Sequence, residues 1–359
     1  IDNDAGTLLI GTEEGSVLSR SLYDSSTMPN EKGPTGSQNA GIYALAVDDY
    51  GTIWGAGNCT IHFKPVGEAV WNEYDYCPTQ NIETPSDIMI IGDSVYLATT
   101  NAGVHILNYI TSSSSGSVSV SVDSQTDWST QNFLSSDQIT DLEVVGNHLL
   151  IATSDSGINR RDLTAQSWIA TWSTNNWLAS NQIHGLSLTP GWLHILAGTT
   201  VHAYDTNTLI FQSQNQLSQL GLYGNGAMAI AWPAHPVRGP ITSTALFSDG
   251  SGTLGMQIAE NPAGTLTLVS GPSIDGMNVV SRINDGESGE IWVASGRIID
   301  RYDEADRAWK IPIDIRDYVS NPGQIVAIQQ DDNDKVWIGT SNAGVLRLEN
   351  TDGSYIGTV

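Results

Sequence analysis

Positive charge is scarce in this chain: 14 Lys and Arg stand against 39 Asp and Glu over 359 residues, a formal net charge of −25. Such a surface repels phosphate backbones and acidic lipid, so nucleic acid is not an expected partner. Long apolar runs are also missing. No stretch approaches the roughly 20 apolar residues that cross a bilayer, so no membrane insertion by this segment is expected. Enzyme signatures are equally sparse, with no Gly-x-Ser-x-Gly, no His-Glu-x-x-His, no phosphate loop and no Cys-x-x-Cys. A charged-then-apolar leader is absent too, so any targeting segment is expected to have been removed or to lie outside this sequence.

What the chain does contain is a phrase that returns eight times. Its clearest copy runs from Asp331 to Leu348 through Trp337-Ile338-Gly339-Thr340, and weaker copies centre on Leu9, Trp54, Tyr96, Leu150, Ile195, Leu246 and Trp292. The copies recur about every 45 residues, the period of four-stranded propeller blades rather than of helical solenoids. The expected fold is therefore all-β, a β-propeller of four-stranded antiparallel blades, eight in number or alternatively seven. It is expected to form a single domain over 1–359 that is part of a longer polypeptide, since the first copy lacks most of its first strand.

Each unit reads as an apolar first strand, a turn, a second strand carrying the large central residue, a Gly-containing turn, a third strand and a more polar outer strand. Trp54, Trp292 and Trp337 share one slot on the second strand, where a ring fills the gap between blades. Thr111 to Val122 reads as a lengthened outer hairpin, and Gln212 to Asn225 and Trp232 to Pro240 read as surface insertions.

The phrase Asp-x-x-Gly-x-(Ile/Leu)-Trp-(Ile/Val)-Gly-Thr-x-x-Gly-(Val/Ile)-x-Arg, best matched at Asp331 to Leu348, Asp48 to Trp54 and Glu290 to Val293, resembles the repeat of the two-component-regulator propellers. That family supplies the extracytoplasmic ligand-sensing portions of many bacterial sensor kinases. The resemblance implies a propeller that binds ligands, often oligosaccharides, outside the cytoplasm.

Candidate site residues come from stacking the first strands in register, which gives the column Ala44, Asp87, Asp141, Gly185, Ala229, Ser281 and Ala327. Asp87 and Asp141 stand out among small residues. Two neighbouring carboxylates can hold a hard cation such as Ca²⁺ or split their pKa values as an acid/base pair, although carboxylates in such places are also commonly tied to backbone amides. His184 lies on a first strand beside them. His62, His105 and His202 fall at equivalent places on different blades, which keeps them from sharing one ion and makes them repeated structural or surface residues.

Asp127 to Leu134 and Thr171 to Leu178 are near-duplicates leading into first strands at Gln138 and Gln182, and Gln324 holds the same place before the clearest repeat. Trp and amide side chains of this kind suit sugar binding, while duplication at the repeat period fits a structural loop anchor, with Phe133 and Trp177 tucked beneath their loops. Cys59 and Cys77 fall on neighbouring strands of one blade, which allows a disulfide and hence export; the alternative is two buried thiols. Asn58-Cys59-Thr60 fits a glycosylation acceptor at Asn58. Asp2-Asn3-Asp4 and Asp331 to Asp334 look like calcium loops but sit where turns are expected, and Ser248 to Leu254 is faintly similar to the Asp-box of sialidases.

The expected function is non-catalytic recognition or scaffolding outside the cytoplasm (extracellular, cell-surface or periplasmic), with a small-molecule, glycan or protein partner bound through one face. No cofactor is expected apart from the calcium option. The alternatives are a propeller hydrolase or lyase working through Asp87, Asp141 and His184, and a structural unit of a larger surface protein.

Overall fold

The computed structural model describes residues 7–11, 17–21, 41–66, 68, 70–77, 83–114, 117–189, 191–216, 228–229, 243–248, 254–259, 267–269, 277–284, 289–303, 306, 308–330, 335–351 and 354–358. Outside these residues lie both calcium-like segments, most of the Asp-box-like stretch, the tip of the long hairpin at Ser115-Gly116, the Trp232 to Pro240 insertion and most of the Gln212 to Asn225 insertion.

The chain divides into two compact units, Ile1–Leu186 and Ser187–Val359, with the boundary inside the strand Ile183–Thr189. The first holds the hairpin Thr7–Gly11 with Val17–Ser21 and three four-stranded sheets. Blade 44–75 comprises Ala44–Val47, Ile53–Ala56, Thr60–Lys64 and Asn72–Asp75; blade 85–128 comprises Pro85–Ile91, Ser94–Thr99, Val104–Ser114 and Ser117–Trp128; blade 139–172 comprises Ile139–Val145, His148–Thr153, Ile158–Asp162 and Ser167–Trp172. In the second unit three more sheets have four strands, spanning 183–216, 228–269 and 325–358, and a fourth sheet, 277–314, has five.

The fold is thus an all-β propeller, and among the described residues it has six four-stranded blades, which corrects the expected eight and its alternative of seven. Two departures account for the difference. Among the described residues, Thr7–Gly11 and Val17–Ser21 form a two-stranded hairpin. In 277–314 the outer strand is broken into Ala308–Trp309 and Ile313–Asp314, both paired with Ile298–Asp303. The break falls at Lys310 to Pro312, where proline lacks a donor and the Ile311 carbonyl accepts hydrogen bonds from the Arg301 guanidinium instead of a ladder N–H.

The second strands are the best buried, because neighbouring sheets cover both of their faces; Ser94–Thr99 and His148–Thr153 are buried at every position after the first. Trp54 is fully buried between blades 44–75 and 85–128, with its ring 4.9 Å from those of Phe63 and Tyr109. Tyr96, Val104 and Trp128 join Leu142, Leu149 and Ile151 in the next layer. Trp292 and Trp337 are also buried, so the shared slot is a packing position.

The repeated phrase has a hydrogen-bond logic. Asp48 accepts the backbone N–H groups of Tyr50 and Thr52 on one carboxylate oxygen, at 3.0 and 2.7 Å, and the Trp54 indole N–H on the other at 3.1 Å. It therefore closes the turn, with Gly51 at a φ of 78°, and satisfies the buried indole. Around Trp292 the residue six places earlier is Gly286, and Glu290 takes the indole N–H instead, at 2.8 Å.

The long outer hairpin is present as Val104–Ser114 paired with Ser117–Trp128. Cys59 and Cys77 form a disulfide with Cα atoms 5.0 Å apart, which ties the turn after the second strand of blade 44–75 to the end of its outer strand. The bridge closes a separation of 18 residues, so the Cys59→Ser, Cys77→Ser double variant is expected to lose about 3 kcal/mol in urea denaturation. An unchanged midpoint would mean that the bridge adds nothing to stability.

Candidate functional site

The Gly-Thr-x-x-Gly part of the repeat builds one set of loops. Thr99 Oγ1 donates to the Gly103 carbonyl at 2.9 Å and accepts the Ala102 N–H at 2.9 Å; Thr153 does the same with Gly157 and Ser156, at 2.8 and 2.9 Å. Gly103 and Gly157 have φ values of 86° and 85°, and a Cβ on either would collide with the carbonyl oxygen of Trp128 or Trp172. Their N–H groups donate to the carbonyls of Asp137 and Asn181, so each turn is tied to the loop that enters the next blade.

Those entering loops are the two near-duplicates, and they close on themselves in the same way. The Ser129 carbonyl accepts N–H groups from Asn132, Phe133 and Leu134, and the Ser173 carbonyl accepts them from Asn176, Trp177 and Leu178. Asn132 Oδ1 takes the Ser129 N–H and its Nδ2 donates to the Asp127 carbonyl, both at 2.8 Å; Asn176 repeats this with Ser173 and Thr171 at the same distances. Asp137 holds the Thr130 N–H and hydroxyl at 2.6 and 2.8 Å, and Asn181 holds the Thr174 N–H at 2.8 Å.

Here the expected burial is reversed. Leu134 and Leu178 are buried, while Phe133 is 50% and Trp177 54% exposed. A tight loop turns only one of two adjacent side chains inward, and the aliphatic residue takes that place in both copies. Phe133 lies stacked on Trp168, with ring centroids 5.7 Å apart and planes 18° from parallel, and Trp168 packs edge-on against Trp128.

Between the first of these loops and the turns at Thr100-Asn101 and Asp155 lies an open cleft of about 430 Å³, lined by Thr100, Asn101, Thr130, Ser135, Ser136, Asp137, Gln138 and Asp155. Gln138 is exposed and its side-chain carbonyl accepts the Ser154 hydroxyl at 2.9 Å. Gln182 and Gln324 are exposed at the corresponding places before their own first strands. Sequence reasoning did not single out Asn101, Thr130, Asp137 or Asp155, because their meeting depends on which turns face one another.

Asp87 and Asp141 are brought together on adjacent first strands, near enough for the charge of Asp87 to act on Asp141. Asp87 accepts the N–H groups of Ile88 and, across to the next strand, Leu142, at 2.8 and 3.0 Å; Asp141 accepts the Leu186 N–H at 2.7 Å. Each carboxyl thereby ties its strand to the following one. Burial raises Asp87, while burial, the Asp87 charge and Glu143 push Asp141 up to about 8. Burial also raises Glu143, to about 7.

Two members of the column need correction, while Ala44 keeps the expected register opposite Ala56. Asp87, Asp141 and Ala327 sit opposite Ala98, Ala152 and Gly339, two residues past the central slot, but Ser281 pairs with Trp292 itself and Ala229 with Leu246. In blade 277–314 the equivalent residue is Val279. A bulge near the start of the first strand, between Pro85 and Asp87, Ile139 and Asp141, Met277 and Val279, and Ile325 and Ala327, sets this register.

His184 is half-buried, lowered by burial, and makes no hydrogen bond to either aspartate. His62 and His105 do share one register, opposite the residue after the central slot, whereas His202 pairs with Ile195 in the slot itself. All three are buried. His105 places Nε2 2.6 Å from Glu83 and Nδ1 2.7 Å from Asp127, under the Tyr76 ring. Among the described residues no group of three His, Cys, Asp or Glu could hold a metal ion. Asn58 is half-buried with its Nδ2 3.4 Å from the Tyr43 hydroxyl, beside the bridged Cys59. Among the described residues no helix is long and apolar enough to cross a membrane.

No curated protein matches the chain. Among solved structures it is similar to Sqt1 of Saccharomyces cerevisiae (TM-score 0.63, 10% identity, 98% of this chain and 87% of that one). It is similar also to BamB of Moraxella catarrhalis (0.58, 10%, 99% and 97%) and to the WD40 β-propeller domain of Doa1 (0.51, 12%, 98% and 92%). At these identities the likeness concerns the fold alone. Residues 320–342 match the model of the two component regulator propeller. The repeat met in the sequence and the sheets it builds agree: this chain is an all-β propeller bearing the two component regulator propeller repeat.

Proposed function

We propose that this protein is a non-catalytic recognition propeller that binds its partner through the loop face carrying Phe133, Trp177 and the cleft at Gln138. The observation that carries this reading is the pair of exposed aromatic rings held on loops whose own hydrogen bonds leave them little freedom. Rings presented on rigid loops bury large area at small entropic cost, as binding anchors do. Asp87 and Asp141 serve a structural role here, since their oxygens hold the backbone of neighbouring strands and Asp141 remains protonated at neutral pH. An extracytoplasmic setting is supported by the Cys59–Cys77 bridge together with the matched repeat.

The test is a calorimetric screen of neutral oligosaccharides and short peptides. A ligand found in it is expected to bind at least about tenfold more weakly to the Phe133→Ala, Trp177→Ala double variant, with the thermal midpoint nearly unchanged because both rings are half in solvent. Turnover of any member at ordinary enzyme rates, or indifference of every ligand to the double variant, would overturn the reading.

A further inference from the structure

The chemistry of the cleft narrows the kind of partner, given the recognition role proposed above. We infer that it receives an Arg or Lys side chain from an extended, basic segment of a protein partner. Every lining residue is polar, the only charges among them are Asp137 and Asp155, and none is basic, so an anionic group would meet no counter-charge there. The two acids play different parts. Asp137 spends both oxygens on Thr130 and so fixes the loop, whereas Asp155 stands exposed at the tip of the turn before Gly157. The carbonyl of the Gln138 side chain and the hydroxyls of Thr100, Thr130, Ser135 and Ser136 surround the cleft with acceptors for a cation's remaining N–H groups.

Two further features favour a cation. The formal charge of −25 draws basic segments from a distance and raises their encounter rate. Phe133 offers an exposed ring on the same loop as Thr130 and Ser135, and an aromatic face attracts a guanidinium or ammonium group. The same pairing occurs inside the protein, where the Arg161 guanidinium lies 4.8 Å from the Trp128 ring and 5.4 Å from that of Trp168.

The probe is hexa-arginine, titrated into the intact protein and followed through the backbone amide resonances of Asn101, Thr130, Gln138 and Asp155, with maltohexaose and hexaglutamate titrated alongside. Asp93, an exposed aspartate in a turn of blade 85–128 outside the cleft lining, serves as the control for general charge. Hexa-arginine is expected to shift the cleft amides, Asp155→Asn to weaken it about fivefold, and Asp93→Asn to change it less than about twofold. Equal effects of the two substitutions would show diffuse attraction and overturn the inference while leaving recognition by this face standing. Maltohexaose shifting the same amides, insensitive to Asp155→Asn, would do likewise in favour of a glycan. Absence of any shift in the cleft with all three probes would overturn the inference, and only indifference of every ligand to the Phe133→Ala, Trp177→Ala variant removes the recognition reading as well.

Discussion

Asp141→Asn is expected to stabilise the protein by roughly 3–5 kcal/mol at pH 8, with the advantage shrinking steadily toward pH 4. The folded chain raises this carboxyl to about 8, through burial first and the Asp87 charge second. In the unfolded chain it ionises near 4. The folded state therefore holds a proton that the unfolded state releases. The favourable contribution is complete below about pH 4, falls by up to about 1.4 kcal/mol for each pH unit above it, and is fully lost once pH has passed through about 8. Asparagine is neutral at every pH. Its Oδ1 can still accept the Leu186 N–H, as the carboxyl does. Urea midpoints of the two proteins between pH 4 and 9 should diverge in the way described; parallel curves would mean that Asp141 is ionised at neutral pH, and the structural role assigned to the pair would fall.

Lys310→Met should cost about 1–3 kcal/mol, less than a fully buried pair because the Lys310 side chain is 35% exposed, while Lys310→Arg should cost less than about 1. The ammonium lies 2.7 Å from Glu290 Oε1 and 2.6 Å from Asp303 Oδ2, and these two residues are only 2% and 4% exposed. Arg301 is more distant from Glu290, at 3.5 Å. The shared cation lies between two carboxylates at this depth, and removing it leaves them facing each other without it. Adding Glu290→Gln to the methionine variant should recover part of the loss, since the amide oxygen can still accept the Trp292 indole N–H. If Lys310→Met unfolds at the same urea concentration as the parent, the shared cation is not what holds the broken outer strand in place.

Much of the architecture was legible because the residues that repeat are those that pack or turn. A large central residue recurs in each unit, and the Thr hydroxyl turn recurs in blades 85–128, 139–172 and 325–358, so their period exposes the blades. Blade number was not legible in the same way. A phrase centred on Leu9 does not show that, among the described residues, its sheet has two strands, and one centred on Trp292 does not show that its outer strand is split at Pro312. The column of first-strand residues slipped for a related reason: the link between first and second strands varies in length, with two residues between Ile91 and Ser94 but four between Asn284 and Gly289, so Ser281 and Val279 are separated only by the observed ladder. At the loop face, Gln138 was visible from spacing, whereas the outward turn of Phe133 and Trp177 depended on Leu134 and Leu178 competing for the same interior place.

The indole acceptor has a consequence for how such units diverge. Asp48 closes a turn and serves its tryptophan; Glu290 serves its tryptophan, together with Lys310, from a position on the strand itself. A lineage can therefore surrender the leading aspartate, free that hairpin to vary in length and composition, and keep the ring in place, provided an acid appears two residues ahead of it. Recognising degenerate copies of this module then calls for tracking one negative oxygen near each buried indole, wherever along the chain it happens to be supplied.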